Sequence, residues 1–451
     1  MAMGQQKDPQ ADLMVGWAEM PRSPGHVFYD RLQSVLREGG FDSFAEASCK
    51  PYYAARLGAP SVPPGRYFRM HLVGYFEGID SERGLEWRCS DSLSLREFLR
   101  LESRDRVPDH SWLSKTRTRL PHEVHEAVFA WVLALIAEAG LVKGDCIGVD
   151  ASTMEANAAL RNIVRRDTGE GYREMLEHLA RESGIETPTA EDLVRLDGKR
   201  KGKKVSNRDW VSKSDPEAKI AKMKDGTTHL AYKPEHAVDL DTGAVVAAAL
   251  HPADEGDTTT LSKTLATAEA NLEAVDAAPT VAEPADCITD KGYHSRAVLK
   301  ALDDSPWKTR IAAPKQQGFS RWRGDEAARR AVTNNRVRLK SGVARQAFKL
   351  RAELVERSFA HTLDRGGMRR TWLRGRDNVH KRYLLHVAGH NLSLLMRQLI
   401  GAGTPREAVA GGYGCIFVLI APADAVAVTQ IVLIVSQDRQ TTFAALYIAA
   451  P

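Results

Sequence analysis

The chain has 451 residues, which is too long for one ordinary core and indicates two or three structural units. Hydrophobic residues make up 43% of it and charged residues 27%, a balance that is typical of a globular protein and excludes general disorder. The formal net charge of +5 is too small to identify a nucleic-acid partner, so the distribution of charge is more informative than its total.

Five widely spaced cysteines, with no CxxC or CxxxC pair, argue against a disulfide framework and against a zinc site. They favour a reduced, cytosolic compartment, and residues 1–17 contain no apolar run of the kind that marks a secretory signal. Residues 416–436 are apolar, but Pro422 and Asp424 interrupt them. We therefore expect a buried helix or a pair of strands there, and no membrane span.

Residues 1–25 are expected to form a flexible lead-in, and residues 26–140 a helical domain. Apolar residues at a 3.6-residue period and polar start signals predict helices over 26–38, 67–77, 92–101, 111–120 and 121–139. The helix over 111–120 is basic and follows a turn with Pro108. It fits either the second helix of a helix-turn-helix or a solvated face of a helical bundle, and the sequence does not choose between them.

After residue 140 the pattern changes to an α/β domain, which we expect over 141–402. The predicted elements are a strand at 146–150, a hairpin of 230–240 with 245–250, a helix from 257, a strand at 287–290, a helix at 295–302, a strand at 310–313, and helices at 352–363 and 384–399. This order predicts a mixed sheet with flanking helices. Residues 155–228 and 315–350 do not fit the simple core and are interpreted as insertions.

Three acidic residues are candidates for the chemistry. Asp150 and Asp290 each end a predicted buried strand, and Glu356 lies on a predicted helix. Carboxylates so placed can hold two metal ions, which stabilise the attacking and leaving oxygens when a phosphodiester is broken. A strand-end aspartate is more often a turn residue, however, and Glu356 could simply pair with Arg357 or Arg351. Spacing alone does not single out these three.

At these positions the sequence resembles the bacterial insertion-sequence transposases of the DDE type. The resemblance runs from about residue 26 to about residue 397. It is carried by Gly-Val-Asp-Ala-Ser-Thr-Met-Glu-Ala-Asn at 148–157, Thr-Asp-Lys-Gly-Tyr-His-Ser at 289–295, Val-Glu-Arg-Ser-Phe at 355–359, and N-terminal blocks at 66–79, 92–99 and 108–111. Ala352 and Leu363 depart from the pattern, because they stand where some relatives have arginine and lysine.

The resemblance implies an RNase-H-like catalytic domain preceded by an all-helical DNA-binding domain. It implies that Asp150, Asp290 and Glu356 are the catalytic metal ligands, for Mg²⁺ or Mn²⁺, with two ions bound. The implied function is that of a transposase, which binds terminal inverted repeats and catalyses metal-dependent strand cleavage and strand transfer in DNA recombination. The implied partners are double-stranded DNA and further copies of the chain, as a homodimer or larger assembly, and the location is the bacterial cytoplasm, at the nucleoid.

Two other functions remain open at this stage, a DNA-binding protein that is no longer catalytic and a metal-dependent nuclease without strand transfer. The intact triad favours catalysis over the first of them. Basic clusters at 199–224, 321–351 and 365–382 favour DNA binding over a merely solvated face. The candidate DNA-contact residues are Lys115, Arg117, Arg119, Lys233, Lys291, Arg357, Arg369 and Arg370.

Several single residues have two interpretations. Trp210, Trp322 and Trp372 could stack on unpaired bases or pack in the core. His294 could contact the scissile phosphate or substitute for a metal ligand, although a histidine near a strand end is more often structural. Asn391 is expected to hydrogen-bond a neighbouring backbone. The apolar tail at 403–451 lies outside the resemblance; it could be a docked hairpin, a dimer contact or a non-native extension.

Overall fold

The computed structural model describes residues 25–54, 61–102, 104–199, 205–223, 226–315, 322, 324–410, 430–437 and 440–447. Within them, seven α-helices precede the sheet. They are α1 (Gly25–Glu38), α2 (Phe41–Cys49), α3 (Pro64–Glu77), α4 (Glu82–Ser90), α5 (Leu93–Phe98), α6 (His110–Arg119) and α7 (His122–Glu138). The predicted helices at 26–38, 67–77 and 121–139 are confirmed within three residues at each end, and the short helices α2 and α4 were not predicted.

Side-chain caps fix where the short helices begin. Ser81, Ser92 and Asp109 accept hydrogen bonds from backbone N–H groups in the first turns of α4, α5 and α6. Residues 99–109 separate α5 from α6, which is much longer than the three- to four-residue turn of a helix-turn-helix. Thr116 and Arg117 on α6 are buried, so the structure favours the helical bundle.

The region after α7 is built on one mixed sheet. Its strands are β1 (Cys146–Ala151), β2 (Met154–Glu155), β5 (Lys219–Lys222), β6 (Thr228–Asp239), β7 (Val245–Pro252), β8 (Ala285–Thr289) and β9 (Trp307–Ile311); β3 (Ile163–Arg165) and β4 (Trp210–Ser212) form a separate pair. The central order is β7-β6-β1-β8-β9, with β6 antiparallel to both β7 and β1, and β1, β8 and β9 parallel. This is the predicted RNase-H-like sheet.

Helices cover the sheet and fill the predicted insertions. They are α8 (Tyr172–Glu182), α9 (Ala190–Lys199), α10 (Asp257–Glu273), α11 (Arg296–Asp303), α12 (Glu326–Leu339), α13 (Gly342–Phe359), α14 (Arg376–Ile400) and α15 (Pro405–Ala410), with a π-helical turn at Ala360–Arg365. The predicted helices at 352–363 and 384–399 are parts of α13 and α14, which begin ten and eight residues earlier. The predicted strand at 310–313 begins three residues earlier, as β9.

The long helix α14 packs against the sheet through β7 and against the helical region through α3 and α7. Towards the sheet, Asn391 exchanges two hydrogen bonds of 2.9 Å with the backbone of Val245, as expected for this residue. On the other side, Arg382 donates to the carbonyl oxygens of Ile79 and Asp80. Gly389 permits the close approach of α3, since a Cβ there would lie 2.6 Å from the ring of Tyr75. The helical region and the sheet therefore share one core, although the predicted domain boundary lies at residue 140.

The described parts of the tail are residues 403–410, which include α15, and an antiparallel pair of strands, β10 (Gln430–Gln437) and β11 (Gln440–Tyr447). The buried helix or pair of strands expected over 416–436 falls mostly on residues 416–429, which lie outside the described residues. Among the described residues, no single helix is long and apolar enough to span a membrane; α6 and α7 reach that length and composition only as a pair bent by 98°.

Candidate active site

Asp150 and Asp290 lie side by side at one edge of the sheet. β1 and β8 are parallel neighbours with Cys146 opposite Asp286 and Gly148 opposite Ile288. Continued by two residues, this register sets Asp150 beside Asp290, on strands that are about 4.8 Å apart. Both residues are half-buried. The sheet therefore brings together two carboxylates that are 140 residues apart in the sequence.

The two aspartates have different partners. The Oδ1 atom of Asp290 accepts a hydrogen bond of 2.8 Å from the backbone N–H of Gly292 and so caps a short 3₁₀ turn. The Oδ1 atom of Asp150 accepts one of 2.9 Å from Ala151 N–H, and its Oδ2 atom lies 2.8 Å from Nη2 of Arg351. No basic side chain pairs with Asp290 within the part of the chain that the structure describes, so its charge is left to water or a bound cation.

Helix α13 carries Glu356 to the same face of the sheet. In an antiparallel pair, residues directly opposite each other point to one face, and His236 of β6 lies opposite Asp150. The His236 ring stacks on Phe359 at 4.2 Å, and its Nδ1 lies 2.8 Å from Oγ of Ser358. Because Ser358 and Phe359 dock α13 on this face, Glu356 lies on a helix that packs against β1 and β8, the strands at whose ends the two aspartates lie.

Glu356 differs from the neighbouring Glu353 in its contacts. Glu353, one turn earlier, is ion-paired with Arg357. Glu356 is exposed, and the described residues give it neither a hydrogen bond nor an ion pair. Its carboxylate is thus available to a ligand, whereas that of Glu353 is engaged.

The donor atoms at this edge suit a hard divalent cation, because Mg²⁺ takes oxygen ligands and keeps several waters. The described residues contain no group of three or more His, Cys, Asp or Glu side chains already arranged to hold a metal ion. The guanidinium on Asp150 supplies positive charge where such a cation would bind. Asp150, Asp290 and Glu356 would hold the metal once Asp150 exchanges that partner.

A buried ionic network supports the loop that follows Asp290. Glu235 of β6 is fully buried and accepts hydrogen bonds from Thr260, Thr264 and Tyr293, with His251 Nε2 at 3.5 Å. Burial alone would raise the pKa of Glu235, but these hydrogen bonds hold the pKa below its ordinary value. The carboxylate is therefore charged, and it ties the loop through Tyr293 to the underlying helix α10.

Lys233 and Asp257 extend this network to the loop itself. The ammonium of Lys233 lies 2.6 Å from Oδ1 of Asp257 and 3.9 Å from Glu235. A Cβ atom on Gly292 would be 2.5 Å from Oδ2 of Asp257 and 3.1 Å from Oδ1 of Asp290. A side chain at 292 would therefore press on both carboxylates and displace at least one of them. Lys233 was predicted as a DNA contact and a helix was predicted to begin at residue 257, but the sequence did not indicate that Lys233 and Asp257 form a pair.

Removing the Tyr293 hydroxyl should slow catalysis without weakening DNA binding. Tyr293→Phe deletes one buried hydrogen bond to a charged group, worth about 1.5–3 kcal/mol, and loosens the turn that carries Asp290. We expect a nicking rate about tenfold lower, since small misplacements of reacting groups are costly. Single-turnover nicking and gel-shift affinity, measured together, test this.

The matched control is Tyr172→Phe, whose lost hydroxyl donates to Asp197 in the insertion. It should nick at the wild-type rate. Equal rates for Tyr293→Phe and wild type would show that the Tyr293–Glu235 contact serves folding alone.

The predicted DNA-contact residues divide into exposed and buried sets. Arg117 is 6% exposed and is paired with Glu82, and Lys233 is also 6% exposed and holds Asp257. Their cationic groups are used within the fold, which leaves them no surface for a phosphate. The exposed or partly exposed set is Lys115, Arg119, Lys291, Arg357, Arg369 and Arg370.

Arg369 and Arg370 belong to a segment that joins the sheet next to β2. Glu155 N–H donates to Arg369 O, and Thr371 N–H donates to Glu155 O. The Arg369 guanidinium also reaches Oγ of Ser152, two residues after Asp150. This segment is thereby fixed against the sequence block at 148–157, close to the candidate active site.

The three candidate tryptophans differ in burial and in their contacts. Trp210 is buried against Tyr172, so it packs in the core. Trp372 is 48% exposed, with Arg370 over its ring at 5.1 Å and its Nε1 donating to Asp80. The Trp322 ring is contacted by Arg296 at 4.7 Å.

Burial lowers the pKa of the partly buried His294, and its Nε2 has no partner among the described residues.

An RNase-H-like sheet with acidic residues at the ends of β1 and β8 and on a later helix defines a class of DNA-processing enzyme. Two family models match the chain, Transposase domain (DUF772) over residues 19–119 and Transposase DDE domain over residues 183–392. The chain belongs to the insertion-sequence DDE transposases. Asp290 and Glu356 lie within the second match, and Asp150 precedes it. Comparison with curated proteins and with solved structures finds no match.

Transposases of this family cleave DNA and generally use divalent metal ions. DNA is accordingly the partner that the family assignment gives to this chain.

Proposed function

We propose that the chain binds the terminal inverted repeats of its element and catalyses metal-dependent cleavage and strand transfer, with Asp150, Asp290 and Glu356 as the metal ligands. The observation that carries this proposal is the register of β1 and β8, which sets the two aspartates side by side on the face where α13 docks. Two bound ions would stabilise the attacking and leaving oxygens of the phosphodiester.

The residues of this chain supply position and charge. The Asp290 carboxylate is held by its own turn, and the buried pair Tyr293–Glu235 fixes that turn from below. Rigid mounting matters because in-line attack requires the reacting atoms to be aligned. Among the described residues, Glu356 has no hydrogen-bonding or ion-pair partner, so its carboxylate can complete the ligand set. The three-prime hydroxyl released by cleavage then becomes the nucleophile that attacks target DNA.

The DNA would pass over the exposed basic side chains that surround these carboxylates. Lys291 follows Asp290 directly, Arg357 follows Glu356, and Arg370 lies at the β2 edge. Lys115 and Arg119 are exposed on the more distant helix α6. Such side chains bind phosphates without regard to base sequence. Assembly as a homodimer or larger complex on two DNA ends is part of the same proposal.

Incubation with a labelled duplex from the ends of the element that encodes the chain tests this function. We expect nicking with Mg²⁺ or Mn²⁺ and none with excess chelator. Asp150→Asn should bind the duplex and fail to nick it. Absence of nicking under both metals would contradict the enzyme proposal and favour a DNA-binding protein. Nicking without joining to a target plasmid would identify a nuclease.

A further inference from the structure

Arg351 is ion-paired with Asp150 of the proposed triad. It lies on α13, five residues before Glu356, and only 11% of its side chain is exposed. Nε donates to the carbonyl oxygen of Val149 at 3.2 Å, and Nη2 lies 2.8 Å from Oδ2 of Asp150. The Arg351 guanidinium therefore contacts both the backbone at the end of β1 and the Asp150 carboxylate.

The strand is shaped to receive this arginine. A Cβ atom on Gly148 would lie 3.2 Å from Cγ of Arg351 and 2.7 Å from Leu240. The absence of a side chain at 148 lets the aliphatic stem of Arg351 lie close to β1. Gly148 and Asp150 belong to the same sequence block. Residues 148–150 therefore provide both the space for the arginine stem and the carboxylate that pairs with its guanidinium.

The contact with Asp150 is one of charge more than of hydrogen bonding. Nη2 is buried, yet none of the described residues offers it an acceptor in good hydrogen-bond geometry, although Oδ2 is at 2.8 Å. Guanidinium does not lose its proton at physiological pH, so the pair persists until another cation takes its place. Because Nη2 donates no well-directed hydrogen bond to Oδ2, the pair lacks the bidentate geometry that makes arginine–carboxylate contacts strongest.

A divalent cation would meet two obstacles at Asp150. It must displace the guanidinium from Oδ2, and it must then lie near a fixed positive charge in a partly buried place, where charges are weakly screened. Both effects lower metal affinity. A phosphate of bound DNA would relieve both, because it offers Arg351 a new anionic partner.

We propose that Arg351 is the resident counter-ion of Asp150 and keeps the metal site weak until DNA is bound. This inference rests on the proposed function, because it takes Asp150 as a metal ligand. Metal and DNA then bind with positive coupling, and by linkage each raises the affinity of the other by the same factor. The chain would thereby acquire its full metal complement only on DNA.

The test is direct measurement of Mn²⁺ affinity by electron paramagnetic resonance of the free ion, without any nicking assay. Arg351→Met keeps the stem over Gly148 and removes the charge. We expect it to bind Mn²⁺ at least about tenfold more tightly than wild type in the absence of DNA, the size of one charged contact. A duplex from the element ends should raise the affinity of the wild type and change that of Arg351→Met much less.

Four further variants make the outcome decisive. Arg351→Gln provides a second neutral side chain in case Arg351→Met folds poorly, and Arg351→Lys, which keeps the charge, should stay near wild type. Arg345→Met removes an exposed arginine from the same helix and should not change Mn²⁺ affinity. Wild-type or weaker affinity in both neutral variants would overturn the role of Arg351. Unchanged affinity in Asp150→Asn would instead overturn the metal assignment on which it rests.

Discussion

Glu356→Gln should reduce metal-dependent nicking by at least about a thousandfold and leave DNA binding intact. The substitution keeps the size and polarity of the side chain but removes the charge that would hold a divalent ion. Metal stabilisation of a phosphoryl transition state contributes several kcal/mol, and each 1.36 kcal/mol is tenfold in rate. Single-turnover nicking with saturating Mg²⁺ and a gel-shift titration measure the two properties separately.

Glu353→Gln is the matched control for that experiment. Glu353 lies one turn earlier on α13, is also exposed, and is already paired with Arg357. Its loss should cost no more than an exposed ion pair, less than about 1 kcal/mol of stability, and should leave nicking near the wild-type rate. If Glu353→Gln were inactive and Glu356→Gln active, the third ligand would have to be reassigned to Glu353.

The fold should become markedly less stable as the pH falls from about 6.5 towards 5, within the ordinary titration range of histidine. Burial lowers the pKa of His125 and His390 to about 3 and that of His380 to about 4. Burial also lowers the pKa of each of His71, His236 and His386 well below its usual value. The unfolded chain therefore takes up protons first, and each histidine contributes a loss of about 1.4 kcal/mol per pH unit.

Urea unfolding at pH 7.5, 6 and 5 measures this loss as a fall in the midpoint. Glu235, whose pKa is lowered, loses its contribution only at still lower pH, so this window isolates the histidines. His71 is fully buried with no partner for either ring nitrogen among the described residues. His71→Leu should reduce the dependence of the unfolding free energy on pH by the contribution of one histidine. His178→Ala, which removes an exposed histidine, should not change it. A midpoint that is equal at pH 7.5 and 5 would contradict this account.

The alternation of strands and helices after residue 140 could be predicted from sequence because each core strand is a short apolar run with a clear end. The hairpin of β6 and β7 was found from its Asp-Thr-Gly turn, in which Gly243 has a φ of +83°. The missed helices are short or polar. α12 begins at an Asp325 cap and carries mostly charged and polar residues, so its apolar period is weak.

The candidate site was predictable as a set of residues but not as a set of contacts. Local pattern placed Asp150 and Asp290 at strand ends, and the family resemblance selected Glu356. The pairing of Arg351 with Asp150 depends on the docking of α13, which no local pattern encodes. The burial of Arg117 likewise depends on its pairing with Glu82, 35 residues earlier in the chain. The burial of Lys233 depends on its pairing with Asp257 at the start of α10. The prediction from basic residues alone therefore included Arg117 and Lys233, two side chains that are buried within the fold.

The position of α14 bears on what happens when the gene is cut short. A product ending before Arg376 would lack the helix that packs between α3 and α7 on one side and β7 on the other. Its helical region would then expose apolar surface that α14 covers in the full chain, including the ring of Tyr75, which packs against Gly389 and His386. Such a truncated copy would aggregate or be degraded, and would not persist as a DNA-binding competitor of the intact transposase.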